Sequence, residues 1–239
     1  MSMHRRSILL AALVSLLCVQ QAGVMAQADD LLVDHITWAV PDLNEGGRLF
    51  EDMSGIQPTR GGEHPGPDWG TANMLVAIGK TIYLEIIGPN PDITPPADSM
   101  GAELSRLDKP SIAYFAISFT DLEALTEAAE RAGLEVRGPG SGSRKTPNGE
   151  TLRWRALGLT GHNFEDFVPY FIDWGDTKHP ATTSAKGVKL ISFTIYHPRH
   201  AELAELYATI GIPITVKPGA VPQMVLKLDT PNGEVELRK

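Results

Sequence analysis

The sequence predicts an α+β fold of repeated β-α-β-β-β units, with a third, shorter related unit closing the chain. Three observations predict it. Three segments share one grammar of apolar strand, helix-start signal, amphipathic helix and closing glycine. The closing glycines Gly55, Gly133 and Gly211 are evenly spaced. Alternating apolar strands follow each helix, and Pro/Gly-rich links separate the units.

The first unit, residues 30–98, opens on the strand DHITWAV. Asp42 is a good N-cap with Glu45 three residues on, and Leu43, Phe50 and Met53 share one helical face. The strands TANMLVAIG and TIYLEIIGP follow. The second unit, residues 110–178, runs SIAYFAISF into a helix boxed by Thr120 and Glu123 and striped by Leu122, Leu125 and Ala129. Its later strands are TLRWRALGL and FVPYFIDWG. The third unit, residues 187–239, passes from KLISFTIYH through Pro198, a favoured first helical residue, to a stripe of Leu203, Leu206 and Ile210. Pro231-Asn232-Gly233 then marks a hairpin. Each closing glycine suits the left-handed position after a helix.

The N-terminus has the layout of a secretory signal peptide over residues 1–26. Arg5 and Arg6 precede an apolar run from Ile8 to Val19, with small residues before an expected cleavage after Ala26. The run is short for a bilayer span. A periplasmic or secreted protein is therefore expected, with no membrane attachment after cleavage. Cys18, the single cysteine, falls within the segment, so the mature chain has no disulfide, thiolate metal site or cysteine nucleophile. The net charge of −8 becomes more negative once the two arginines leave, which argues against nucleic acid or an anionic membrane surface as partner. Hydrophobic content of 42% supports a folded core.

Strand parity shows which side chains can meet. Side chains alternate between sheet faces, and a helix covers the apolar one. Ile36, Trp38 and Val40 oppose His35 and Thr37; Met74, Val76 and Ile78 oppose Thr71 and Asn73; Ile82, Leu84 and Ile86 oppose Tyr83 and Glu85. His35, Thr71, Asn73 and Glu85 thus converge opposite the apolar face. A carboxylate in YLEII is costly to bury unpaired, so a cation or donor should meet it. His64, in the glycine- and proline-rich loop GGEHPGPDWG, can add a second imidazole. Two histidines and a carboxylate suit a divalent transition metal (Zn, Fe, Ni or Mn) with open positions. A buried His–Glu hydrogen-bonded pair would satisfy both groups without a metal.

These residues stand in motifs: Asp34-His35-Ile36, Gly61-Gly62-Glu63-His64, Gly70-Thr71-Ala72-Asn73 and Tyr83-Leu84-Glu85, with PYFIDW at 169–174. The sequence resembles glyoxalase-like proteins of the vicinal oxygen chelate superfamily. The resemblance implies paired βαβββ modules whose curved mixed sheets form a cup around a metal ion. It implies His35, His64 and Glu85 as metal ligands, Glu85 also as a catalytic residue, and a small substrate that chelates through adjacent oxygens. Lyase, isomerase and dioxygenase chemistry all fit that description. Tyr114 aligns with His35, and Ile172 or Asp173 with Glu85, so the second unit is expected to supply substrate contacts. Across the two units the expected substrate contacts are Thr71, Asn73, Tyr83, Tyr114, Arg144, Trp154 and Asp173, in a monomer or homodimer. The alternative is a metal-free small-molecule binder using the same cup.

The segment GPGSGSRKTPNG at 138–149 lacks the Gly-Lys-Ser/Thr of a phosphate loop and reads as a mobile hairpin loop over the cup. There is no G-x-S-x-G nucleophile elbow either.

Overall fold

The computed structural model describes residues 33–64 and 66–239. The predicted signal segment, with Cys18, lies outside the described residues. The first unit contains β1 (Val33–Ala39), α1 (Leu43–Ser54), β2 (Thr59–Glu63), β3 (Thr71–Ala77) and β4 (Tyr83–Pro89). A short helix α2 (Met100–Leu104) lies in the link. The second unit contains β5 (Ser111–Ser118), α3 (Leu122–Arg131), β6 (Glu135–Lys145), β7 (Thr151–Thr160) and β8 (Tyr170–Asp173). The third contains β9 (Lys189–His197), α4 (His200–Ile210), β10 (Val216–Pro218), β11 (Gln223–Thr230) and β12 (Gly233–Arg238).

Eight strands of the first two units close into one barrel in the order β1-β4-β3-β2-β6-β7-β8-β5. In each unit the first strand pairs in parallel with the last, β1 with β4 and β5 with β8. The units join edge to edge, β1 against β5 along most of their length and β2 against β6 through Glu63 and Lys145. One chain therefore completes the cup, and closure leaves no free edge.

The third unit shares the β-α-β-β-β element order but wires its sheet differently, as β10-β9-β11-β12. Its first strand pairs in parallel with its second, β9 with β10, rather than with its fourth. It builds a separate sheet beside the barrel. The β11–β12 turn reaches α1, where the Asn232 amide donates to the Asp52 carbonyl at 3.2 Å. Lys239 meets Asp166 at 2.8 Å, and the His197 ring lies edge-on to Phe164 and Phe167.

The caps explain where the helices begin. Asp42 accepts from the Glu45 backbone N–H at 2.8 Å, and Gly55 and Gly211 close α1 and α4 with φ of 74° and 75°. In α3 the N-cap is Asp121 rather than Thr120, accepting from Ala124 N–H at 2.9 Å. A carboxylate competes well with a hydroxyl for that position. Helix α4 starts at His200, two residues after Pro198, with Arg199 as N-cap. On α1, Leu43 and Phe50 are fully buried against the barrel's outer face, beside Trp38. Burial of each such side chain is worth about 1.5–3 kcal/mol.

One expectation is corrected. Residues 135–145 form barrel strand β6, not a loop, and only the turn to β7 is a hairpin connection. Glycine and proline are poor strand formers in general, but here a neighbouring ring needs the room. A Cβ on Gly142 would lie 2.4 Å from Trp154 Nε1, so the missing side chain lets the indole lie across the strand. Gly62 serves the barrel's closing seam. Its φ is +145°, and a Cβ there would lie 2.1 Å from the Lys145 carbonyl oxygen.

Candidate active site

The barrel encloses a cavity of about 620 Å³, within the usual range for small-molecule sites. His35, His64, Asn73, Tyr83, Glu85, Tyr114, Arg144 and Trp154 all border it. Thr71 and Asp173 do not. Thr71 is buried behind His64 and its hydroxyl lies 3.0 Å from His64 Nδ1, a support for the imidazole. Asp173 faces the outside of β8 and accepts from the Gly175 N–H at 2.8 Å. Strand alternation gives the inward position to Ile172 instead.

Glu85 is the hub. It projects from the middle of β4, next to β1 on one side and β3 on the other. Thr37 donates to Oε2 at 3.0 Å, and the Asn73 amide donates to Oε1 at 2.6 Å. His35 Nε2 and His64 Nε2 each stand 3.9 Å from a different carboxylate oxygen. Burial alone would push the carboxyl up; the two imidazoles and the two donors outweigh it and hold Glu85 below its ordinary value. Asn73 Oδ1, in contrast, is buried without a hydrogen-bond partner.

His35 is aimed by Asp34. A shift in register between β1 and β5 falls at Val33/His35, so the strand bulges there and Asp34 escapes simple alternation. Its Oδ1 accepts from His35 Nδ1 at 2.6 Å, and its Oδ2 accepts from Trp174 Nε1 at 3.0 Å and His179 Nε2 at 3.1 Å. Burial raises the Asp34 carboxyl, but His179 and His35 outweigh it and keep it low. With Nδ1 donating, His35 Nε2 accepts from the Tyr170 hydroxyl at 2.5 Å. Burial pushes the imidazole of His64 down, partly opposed by Glu85, so its neutral form is favoured.

The walls are aromatic. Tyr83 stacks on His35 with ring centres 4.7 Å apart, and Tyr114 meets Tyr170 edge-on at 5.9 Å. Burial pushes all three phenols upward, so they stay protonated donors. Trp154 and Trp174 pack at 5.4 Å on one side, and half-exposed Trp69 covers His64 at 5.3 Å. Arg144, only 4% exposed, donates to the Gly61 carbonyl across the β2–β6 seam. Burial lowers its pKa from the ordinary value.

Sequence reasoning missed Tyr170, Trp69 and the bridging role of Asp34 and His179. Two-residue alternation from Ile172 would have put Tyr170 inside. Asp34 had no such signal, because a bulge set its direction.

The donor set fits a divalent ion in kind. His35 Nδ1 is tied to Asp34 and His64 Nδ1 to Thr71, so both Nε2 atoms face the Glu85 carboxylate. The set is not closed, however: among the described residues no three His, Cys, Asp or Glu side chains group tightly enough to hold a metal as they stand. His35, His64 and Glu85 are the residues that would hold the ion.

No curated protein matches the chain. The crystal structure of a hypothetical protein from Staphylococcus aureus shares its fold, with a TM-score of 0.59 at 17% identity over 86% of this chain and 84% of that one. Weaker likenesses include the Mn(II)-bound glyoxalase from Novosphingobium aromaticivorans, at TM-score 0.44 and 14% identity, covering 86% of this chain and 81% of that one. Methylmalonyl-CoA epimerase from Mycobacterium tuberculosis gives TM-score 0.41 at 17% identity, covering 63% and 94%. The glyoxalase-like domain family matches residues 33–211, most of the chain. With the two-unit barrel and its His–Glu centre in view, this chain belongs to the glyoxalase-like domain family.

Proposed function

We propose that this protein is a metal-dependent enzyme acting on a small substrate through two neighbouring oxygens. The observation that carries the reading is the convergence of two imidazole Nε2 atoms on the two oxygens of buried Glu85. A divalent ion bound there would supply Lewis-acid polarisation of substrate oxygens. The chain's own residues supply the rest. Protonated Tyr83, Tyr114 and Tyr170 can donate to an oxygen that gains charge. Trp69, Trp154 and Trp174 give the cavity apolar walls against which a substrate body can pack. Lyase, isomerase and dioxygenase steps are each compatible with such a centre. Arg5, Arg6, the apolar run after them and Ala26 support export, with the mature protein acting in the periplasm or outside the cell.

One observation favours a second reading, a metal-free binding protein. The Tyr170 hydroxyl already satisfies the His35 lone pair that a metal would take. Elemental analysis separates the two. The full chain, purified without chelator or histidine tag and reloaded with Zn, Fe, Ni or Mn, should hold about one ion, and Glu85→Gln should lose it. No uptake by either protein would overturn the metal reading. Mass measurement of the N-terminus of the exported protein tests cleavage after Ala26.

A further inference from the structure

Arg144 is a buried cation without a carboxylate. Among the described residues it has no ion-pair partner within 4.0 Å, and its one hydrogen bond goes to the Gly61 carbonyl. A guanidinium carries five N–H donors, so four remain without a protein acceptor. Those nitrogens are not sealed in protein, since the orphaned buried side-chain atom of the described residues is Asn73 Oδ1. They open instead onto the cavity that Arg144 borders. A desolvated guanidinium left unpaired is costly, and a planar oxyanion is its natural complement.

The chemistry of the cavity narrows that oxyanion. Among the described residues Arg144 is the one Lys or Arg that lines the cavity, so a doubly charged phosphate, which calls for more than one cation, is poorly served. A singly charged carboxylate matches one fork. The body attached to it must suit Trp69, Ile87, Met100, Trp154 and Trp174, which make the wall apolar and rich in indole.

We propose that the ligand of this cavity is a small organic acid with an aromatic body, its carboxylate anchored by Arg144. This deepens the reading of the cavity as the substrate site, and it depends on the cavity rather than on the metal. The adjacent oxygens of a 2-oxo or 2-hydroxy acid would then lie toward His35, His64 and Glu85.

Phenylpyruvate and its neutral methyl ester serve as probes, titrated calorimetrically into the full chain with Mn(II) and again after chelation. The acid should bind about tenfold more tightly than the ester, as expected for a charge-assisted fork. That ratio should survive chelation and fall toward one in Arg144→Met. Equal binding of acid and ester, failure of both to bind, or a ratio unchanged in Arg144→Met would overturn the proposal. A ratio that vanishes on chelation would also overturn it, by assigning the carboxylate to the metal. If Arg144→Met does not fold, the ratio in the chelated wild type decides, because Arg144 is the lining cation. Absence of metal uptake alongside an intact ratio would sink the metal reading and leave this one standing.

Discussion

Asp34 and His179 tie the first barrel strand to the segment leading into the third unit, through a 3.1 Å contact from Nε2 to Oδ2. The other Asp34 oxygen fixes His35, so one buried carboxylate sets both a cavity wall and an imidazole in the site. Asp34→Asn keeps the shape but cannot accept from both histidines and Trp174 equally. Loss of a buried charged acceptor should cost about 2–4 kcal/mol in denaturant unfolding. Loss of its orienting bond should also weaken metal uptake about 10–100-fold. A stability loss with unchanged uptake would limit Asp34 to a structural role.

The barrel seam should be intolerant of a single methyl group. At Gly62 the positive φ and the nearby Lys145 carbonyl both oppose a side chain. Gly62→Ala should destabilise by about 3 kcal/mol and loosen Arg144 with the seam. Urea unfolding together with hydrogen exchange of β2 and β6 amides would read it. An unchanged midpoint would mean that β2 has room to shift.

His197 gives a pH dependence away from the candidate centre. Buried between Phe164 and Phe167, it is held below the ordinary histidine value by burial and by Arg199, with Glu202 and Glu165 opposing. The unfolded chain then takes up a proton that the native state resists. Stability from this residue is full above the unfolded pKa of about 6.5 and declines as pH falls through it. The drop in Tm between about pH 7.5 and pH 5.5 should be smaller in His197→Gln than in the wild type. Equal drops would show that the ring titrates normally.

The legible part of the site was the part governed by local alternation. His35, Asn73 and Glu85 meet because a strand repeats every two residues, a rule that needs no knowledge of partners, whereas Thr71, expected with them, supports His64 from behind. The element order was legible for the same reason, since caps and closing glycines are local. What failed was set by distant neighbours. Residues 138–142 look like a loop until Trp154 requires a bare strand beneath it. The third unit reads as a copy until its sheet is traced, because strand order depends on pairing across the fold. Asp34 points where a bulge sends it, and that bulge arises against β5, more than eighty residues on by the register to Ile117 and Ala116.

Tyr170 and a metal ion compete for one lone pair, which makes Tyr170→Phe the sharpest test of the centre. The hydroxyl donates to His35 Nε2 at 2.5 Å, inside the same cavity wall as Tyr114. Its removal costs one buried hydrogen bond, about 1 kcal/mol of stability in the metal-free protein. It also frees Nε2, and the same energy returned to metal binding would tighten uptake about five- to tenfold. A metal-dependent protein should therefore lose stability when stripped and gain affinity when titrated with Zn(II) or Mn(II). A metal-free binder should show only the loss. If Tyr170→Phe instead weakened uptake, the phenol oxygen would have to act as a ligand itself, and His35, His64 and Glu85 alone would not make up the site.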